Sequence, residues 1–166
     1  MRSALLALAV AACGTPPPTW EVDAGACVPY MAPPITQLQA PAVSFVNDVM
    51  PVFTANCSSA SCHGVASSPQ GGLFLGAELQ HGADAQTVHD AIVGKPSAQL
   101  PMMNFVTPGD PANSYLMHKL DADQCQFTQQ CVAQDCLKPM PYDVGALTTD
   151  QRDIVRRWIA QGAPAQ

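Results

Sequence analysis

The chain has 166 residues, room for one domain with a leader and a linker. Charged side chains make up 12% of it and aromatic ones 6%, and 13 acidic against 7 basic residues leave a formal net charge of −6; such a surface disfavours nucleic acid and anionic membrane, and either serves solubility alone, the plainer reading, or attracts a basic protein patch. The 7 cysteines point to an oxidising compartment, or to cysteines consumed by modification.

Met1 and Arg2 precede an apolar stretch, Ala4 to Ala12. It is too short to cross a bilayer as a permanent helix and reads as an export signal over residues 1–12. The small residues ahead of Cys13 resemble the lipobox of bacterial lipoproteins. That resemblance implies cleavage before Cys13 and acylation of its thiol and amine, which would anchor the exported product by lipid on the periplasmic side of a bacterial membrane. A cleaved, soluble export product is the plainer alternative. Residues 13–42 hold Pro16, Pro17, Pro18, Pro33, Pro34 and Pro41, a density that blocks regular helix and favours an extended tether. Cys27 lies in that tether and is expected to pair with a cysteine of the folded domain, residues 43–166.

Ser44 to Asn56 predicts a helix whose apolar face carries Phe45, Val46, Val49, Met50, Val52 and Phe53, with Pro51 marking a kink or a second helical start. The helix delivers the chain into Cys57-Ser58-Ser59-Ala60-Ser61-Cys62-His63-Gly64. Two cysteines followed at once by a histidine suit covalent haem attachment: the thiols add across the two vinyl groups of the porphyrin, and the adjacent imidazole comes to the iron. Four residues separate the cysteines where the usual motif has two; the two extra residues are expected to bulge outward, and Ser58, Ser59, Ala60 and Ser61 are all small enough to allow it. The alternative is a local Cys57–Cys62 disulfide beside a surface histidine. Residues from Gly64 to Gly82 read as a loop able to offer a backbone carbonyl to the second ring nitrogen of His63.

Asp84 is the expected cap of a helix reaching about Val93, closed by Gly94 and Pro96, with His81 and His89 read as solvated. Asp110 and Pro111 are expected to cap and open another helix, on which Tyr115, Leu116 and Leu120 share the buried face while His118 and Lys119 point away. His118 is the second choice for an iron ligand opposite His63. Cys125, Cys131 and Cys136 join Cys27 in an even set of four, which allows three pairings and reads as two disulfides pinning a long loop; zinc is disfavoured by the absence of paired spacing. Met140 stands between Pro139 and Pro141, which restrict its backbone and suit a thioether held over an iron. Met102 and Met103 are weaker candidates for that place, and Met50 and Met117 read as core. Thr148 with Gln151 forms a capping box for the last helix, whose buried stripe is Ile154, Val155, Trp158 and Ile159 and whose other side carries Arg152, Arg156 and Arg157; Gly162 and Pro164 end it.

In this order the segments resemble a cytochrome c domain, in particular the cytochrome c-like domains on exported myxobacterial and planctomycete proteins. The resemblance rests on the helix Phe45 to Phe53, Asn56-Cys57, Cys62-His63-Gly64, a Gly-Gly-Leu loop, Pro108-Gly109-Asp110-Pro111, Met140-Pro141 and a final helix ending at Trp158, and covers about residues 43–164. It implies an all-α, cytochrome c-like fold with crossed N- and C-terminal helices and loops wrapping one covalently attached haem c. Cys57 and Cys62 would carry it, with His63 and Met140 the axial ligands. The implied function is that of a one-electron carrier rather than an enzyme, handing electrons to a redox partner protein. Two rivals accompany it: a haem-based sensor or peroxidase-like module with a displaceable ligand, and a haem-free, disulfide-stapled binding lipoprotein.

Overall fold

The computed structural model describes residues 27–76, 85–142 and 145–166; the expected signal, Cys13, His81 and the Asp84 cap lie outside the described residues. The first helical segment begins where the Ser44 hydroxyl accepts from the Asn47 amide at 3.1 Å. A π-helical turn, Phe45–Val49, runs into α1, Met50–Asn56. Pro51 has no N–H to give the carbonyl four residues back, so the α-helical ladder restarts there, with the proline in the first turn where no donor is needed. Phe45, Val49, Met50, Val52 and Phe53 face the core, whereas Val46, expected on the same face, is turned to solvent.

Helix α2, Ala85–Ile92, adds Val88 and Ile92 to the same core. Beyond it the chain doubles back through two isolated bridges, Val93 with Val106 and Pro96 with Asn104; among the described residues there is no strand, and the protein is mostly helical. The helix expected to start at Asp110 is in two pieces. Asp110 accepts from the Asn113 amide at 3.1 Å and Pro111 opens only one 3-10 turn, Pro111–Asn113. Ser114 is extended, its hydroxyl donating to the Asp110 carbonyl (2.8 Å) and accepting from the Thr107 amide (2.9 Å). Those side-chain bonds compete with the helical ladder, and α3, Tyr115–Asp121, starts after it.

Helix α4, Thr149–Ala160, has the expected capping box of Thr148 and Gln151. Trp158 is fully buried, stacked on Phe45 at 4.8 Å between ring centroids, and its indole N–H donates to the Pro164 carbonyl at 2.8 Å. The last helix is thereby packed on the first helical segment. The expectation that three arginines share the outer side of α4 fails for Arg156, whose side chain is 1% exposed. It reaches both oxygens of Asp121 at 2.6 Å and lies 4.5 Å from the Tyr30 ring centre, joining α4 to the end of α3 by a bidentate, charge-assisted pair.

Cys27 pairs with Cys125 and Cys131 with Cys136, so Cys27 does join the folded part. The Tyr30 amide donates to Asp123 at 2.9 Å, Leu38 in the 3-10 turn Ile35–Leu38 is buried, and Gln161 holds the carbonyls of Leu38 and Pro41 at 2.9 Å each. From Cys27 onward the proline-rich stretch lies along the domain. Among the described residues no helix is long and apolar enough to cross a membrane.

Candidate functional site

The Cys57 amide still bonds back into α1, to the Phe53 carbonyl at 2.8 Å, and the chain then closes a compact loop. The amides of Cys62 and Gly64 both donate to the Ser59 carbonyl at 3.0 Å, and that of His63 to the Cys57 carbonyl at 3.1 Å. Of the four residues between the cysteines two are exposed, the number expected to bulge outward, and two are not. Ser58 is 1% exposed, its hydroxyl held inward between the carbonyls of Phe53 (3.0 Å) and Leu75 (2.8 Å). Only Ala60 and Ser61 are exposed. Gly64 follows from this crowding: a Cβ there would lie 2.0 Å from the Ser58 carbonyl oxygen.

His63 is buried, and its Nδ1 lies 2.9 Å from the Leu73 carbonyl oxygen. A carbonyl only accepts, so Nδ1 carries the proton and Nε2 keeps its lone pair. The loop after the histidine does supply a carbonyl, and Leu73 is the residue; the Leu75 amide bonds the His63 carbonyl at 3.0 Å and returns the loop over the ring. Burial lowers the pKa of His63, with the Leu73 and Gln70 carbonyls opposing and the charge of Lys119 assisting. Burial likewise pushes the Cys57 thiol up to about 12, with Cys62 adding to the shift. Cys57 and Cys62 are free thiols, which sets aside the local-disulfide alternative.

Both cysteines, His63 and Met140 line one cavity of about 560 Å³, a volume typical of a ligand-sized site. Its apolar walls come from Phe53 of α1, Leu73 and Leu75 of the returning loop, Phe105, and Leu116 and Leu120 of α3. Pro139 and Pro141 are buried on either side of the half-buried Met140, and the Met140 amide donates to the Lys119 carbonyl at 2.8 Å.

The other candidate ligands are elsewhere. His118 does not line the cavity; its Nδ1 is 2.7 Å from an Asp123 carboxylate oxygen and its Nε2 is 3.0 Å from the Ala112 carbonyl, so both nitrogens are committed. Met102 is 79% exposed and shares a separate surface hollow with Met103 and Phe127. Met50 and Met117 are core residues. Among the described residues no three His, Cys, Asp or Glu side chains are grouped as a metal site.

Lys119 does not point away from the domain as expected. It is 7% exposed, lines the cavity, and its ammonium donates to the Cys136 carbonyl at 2.8 Å and to that of Lys138. Burial pulls its pKa down to about 8. The signal lay in the spacing, since Lys119 is one helical turn beyond Tyr115 on a face that is buried. Tyr115 supports the same segment, its hydroxyl donating to the Cys136 carbonyl at 3.1 Å.

No protein-family model, curated protein or solved structure matches the chain.

Proposed function

We propose that the chain is a c-type cytochrome with a cytochrome c-like fold, a one-electron carrier holding one haem c on Cys57, Cys62, His63 and Met140. The observation that carries the reading is the convergence of those four side chains, 83 positions apart at the extremes (140 − 57), on one apolar-walled cavity. Such a cavity fits a flat, largely apolar group better than a polar substrate, and it adds buried apolar surface to a chain with few aromatic residues of its own. When bound, haem supplies an iron that exchanges one electron at a time.

The chain's own residues do the rest. Cys57 and Cys62 provide the thiols for thioether links. Leu73 holds the His63 ring through Nδ1, leaving Nε2 free to ligate and raising its basicity. Met140, flanked by two buried prolines, offers the second ligand, and a methionine there raises the reduction potential. Phe53, Leu75, Phe105 and Leu116 give the cavity apolar walls against which the porphyrin faces would pack. With two protein ligands retained, no substrate position is needed. The two disulfides agree with export to an oxidising compartment, and with it we retain lipid anchoring at Cys13 on the periplasmic side, and a partner protein with a basic patch that meets this acidic chain.

The test is expression in the periplasm of a host with working haem-maturation machinery. Covalent haem stays on the polypeptide through a denaturing gel and gives a haem-stain band; a folded, colourless product overturns the reading. Ligation by Met140 makes carbon monoxide uptake by the reduced protein slow, and Met140→Ala accelerates it by at least a hundredfold, on the order expected when a ligand-displacement step costing about 3 kcal/mol is removed. Fast uptake by the unmodified protein would favour the sensor or peroxidase-like rival.

A further inference from the structure

The segment carrying Met140 is suspended from one residue of α3. The Lys119 ammonium donates to the carbonyls of Cys136 (2.8 Å) and Lys138, and the Lys119 carbonyl accepts from the Met140 amide at 2.8 Å. The same residue therefore grips the segment by side chain on one side and by backbone on the other, and it does so inside the wall of the cavity that His63 also lines. Lys119 is 7% exposed, and a shorter or apolar side chain there would take the charged donor from both carbonyls, leaving that of Cys136 to the Tyr115 hydroxyl alone. Resting on the cytochrome reading above, we infer that Lys119 is a positioning residue that holds Met140 to its place and, by the positive charge it sets into the cavity wall, favours the reduced state of the site.

The physical grounds are two. First, ligand exchange at the Met140 position requires the segment to move, and the Lys119 bonds oppose that movement in a low-dielectric setting where charge-assisted bonds are strong. Second, a buried cation interacts more favourably with an iron centre that has gained an electron, and burial removes the solvent screening that would blunt the effect. Lys138 provides the internal control: it also borders the cavity, carries the same charge, and its side is exposed to water.

The experiment is a redox titration of the haem-loaded full chain in four forms: unmodified, Lys119→Met, Lys119→Gln and Lys138→Met. Lys119→Met is expected to lower the ferrous-to-ferric ratio at fixed ambient potential about tenfold, equivalent to about 59 mV for one electron, and to speed carbon monoxide uptake several-fold. Lys119→Gln, which keeps donors but not charge, is expected to show the potential shift with less gain in uptake, and Lys138→Met to show neither. A haem-loaded Lys119→Met protein with unchanged potential and unchanged uptake overturns the inference while leaving the cytochrome reading intact; absence of the haem-stain band in the unmodified protein brings down both. Should neither Lys119 variant fold, hydrogen exchange of the unmodified haem-loaded protein decides: a protected Met140 amide supports the suspended segment, and an unprotected one overturns it.

Discussion

A Cβ on Gly64 would sit 2.0 Å from the Ser58 carbonyl oxygen, and Ser58 cannot retreat, because its hydroxyl bridges two buried carbonyls. Gly64→Ala is therefore expected to destabilise the protein by about 1–3 kcal/mol or more, as overpacking against fixed backbone does, and to displace His63 next to it. An unchanged urea midpoint for this variant would contradict the packing described. His118 offers a residue-scale test of pH. Burial opposes its charged form, but Asp123 and the Ala112 carbonyl outweigh that and raise its pKa above the usual value. Both ring nitrogens face acceptors, and only the imidazolium has a proton for each. A raised folded-state pKa means that the stabilisation is complete below the ordinary histidine pKa and is lost as pH rises through the folded value. The stability gap between the unmodified protein and His118→Gln should thus be largest near pH 5.5 and shrink toward pH 9 in denaturation series run at each pH.

Between elements, the strongest single tie is Arg156 to Asp121, α4 to α3. Asp121→Ala would leave the buried Arg156 with only the partly exposed Asp153, 3.2 Å away, and should cost about 3 kcal/mol, read from denaturant unfolding; a loss below about 1 kcal/mol would show that Asp153 or water replaces the lost partner. This tie also shows which features local sequence can convey. Helix α4 was legible because its cap, its apolar stripe and its glycine stop are all encoded within a few residues, and the Cys57-to-His63 motif because its chemistry is contiguous. Arg156 and Lys119 are misplaced by local pattern because each is turned inward by an acceptor far along the chain: a carboxylate at 121, and carbonyls at 136 and 138. Polar residues in such positions look solvated until their partners are known. The split at Ser114 was hidden for a related reason, since its hydroxyl bonds decide against the helix that Asp110 and Pro111 announce.

At the scale of the whole molecule, two disulfides act on very different loops. Cys27–Cys125 spans a sequence separation of 98 and Cys131–Cys136 one of 5. Loop-closure entropy assigns the first about 4.7 kcal/mol and the second about 2 kcal/mol. Replacing Cys27 and Cys125 together by serine should accordingly lower stability by about 2–3 kcal/mol more than replacing Cys131 and Cys136, measured side by side by denaturant unfolding. Equal losses would mean that the unfolded chain is not the main seat of the effect.

The Cys27–Cys125 bond also fixes a leash. With a lipid on Cys13, as proposed, only the stretch up to Cys27 is free of that covalent fastening, and fully extended at ~3.5 Å per residue it reaches no farther than about 50 Å. On the cytochrome proposal an acceptor would then have to come within that distance plus the width of the domain, which favours neighbours embedded in the same membrane over ones moored across the periplasmic gap.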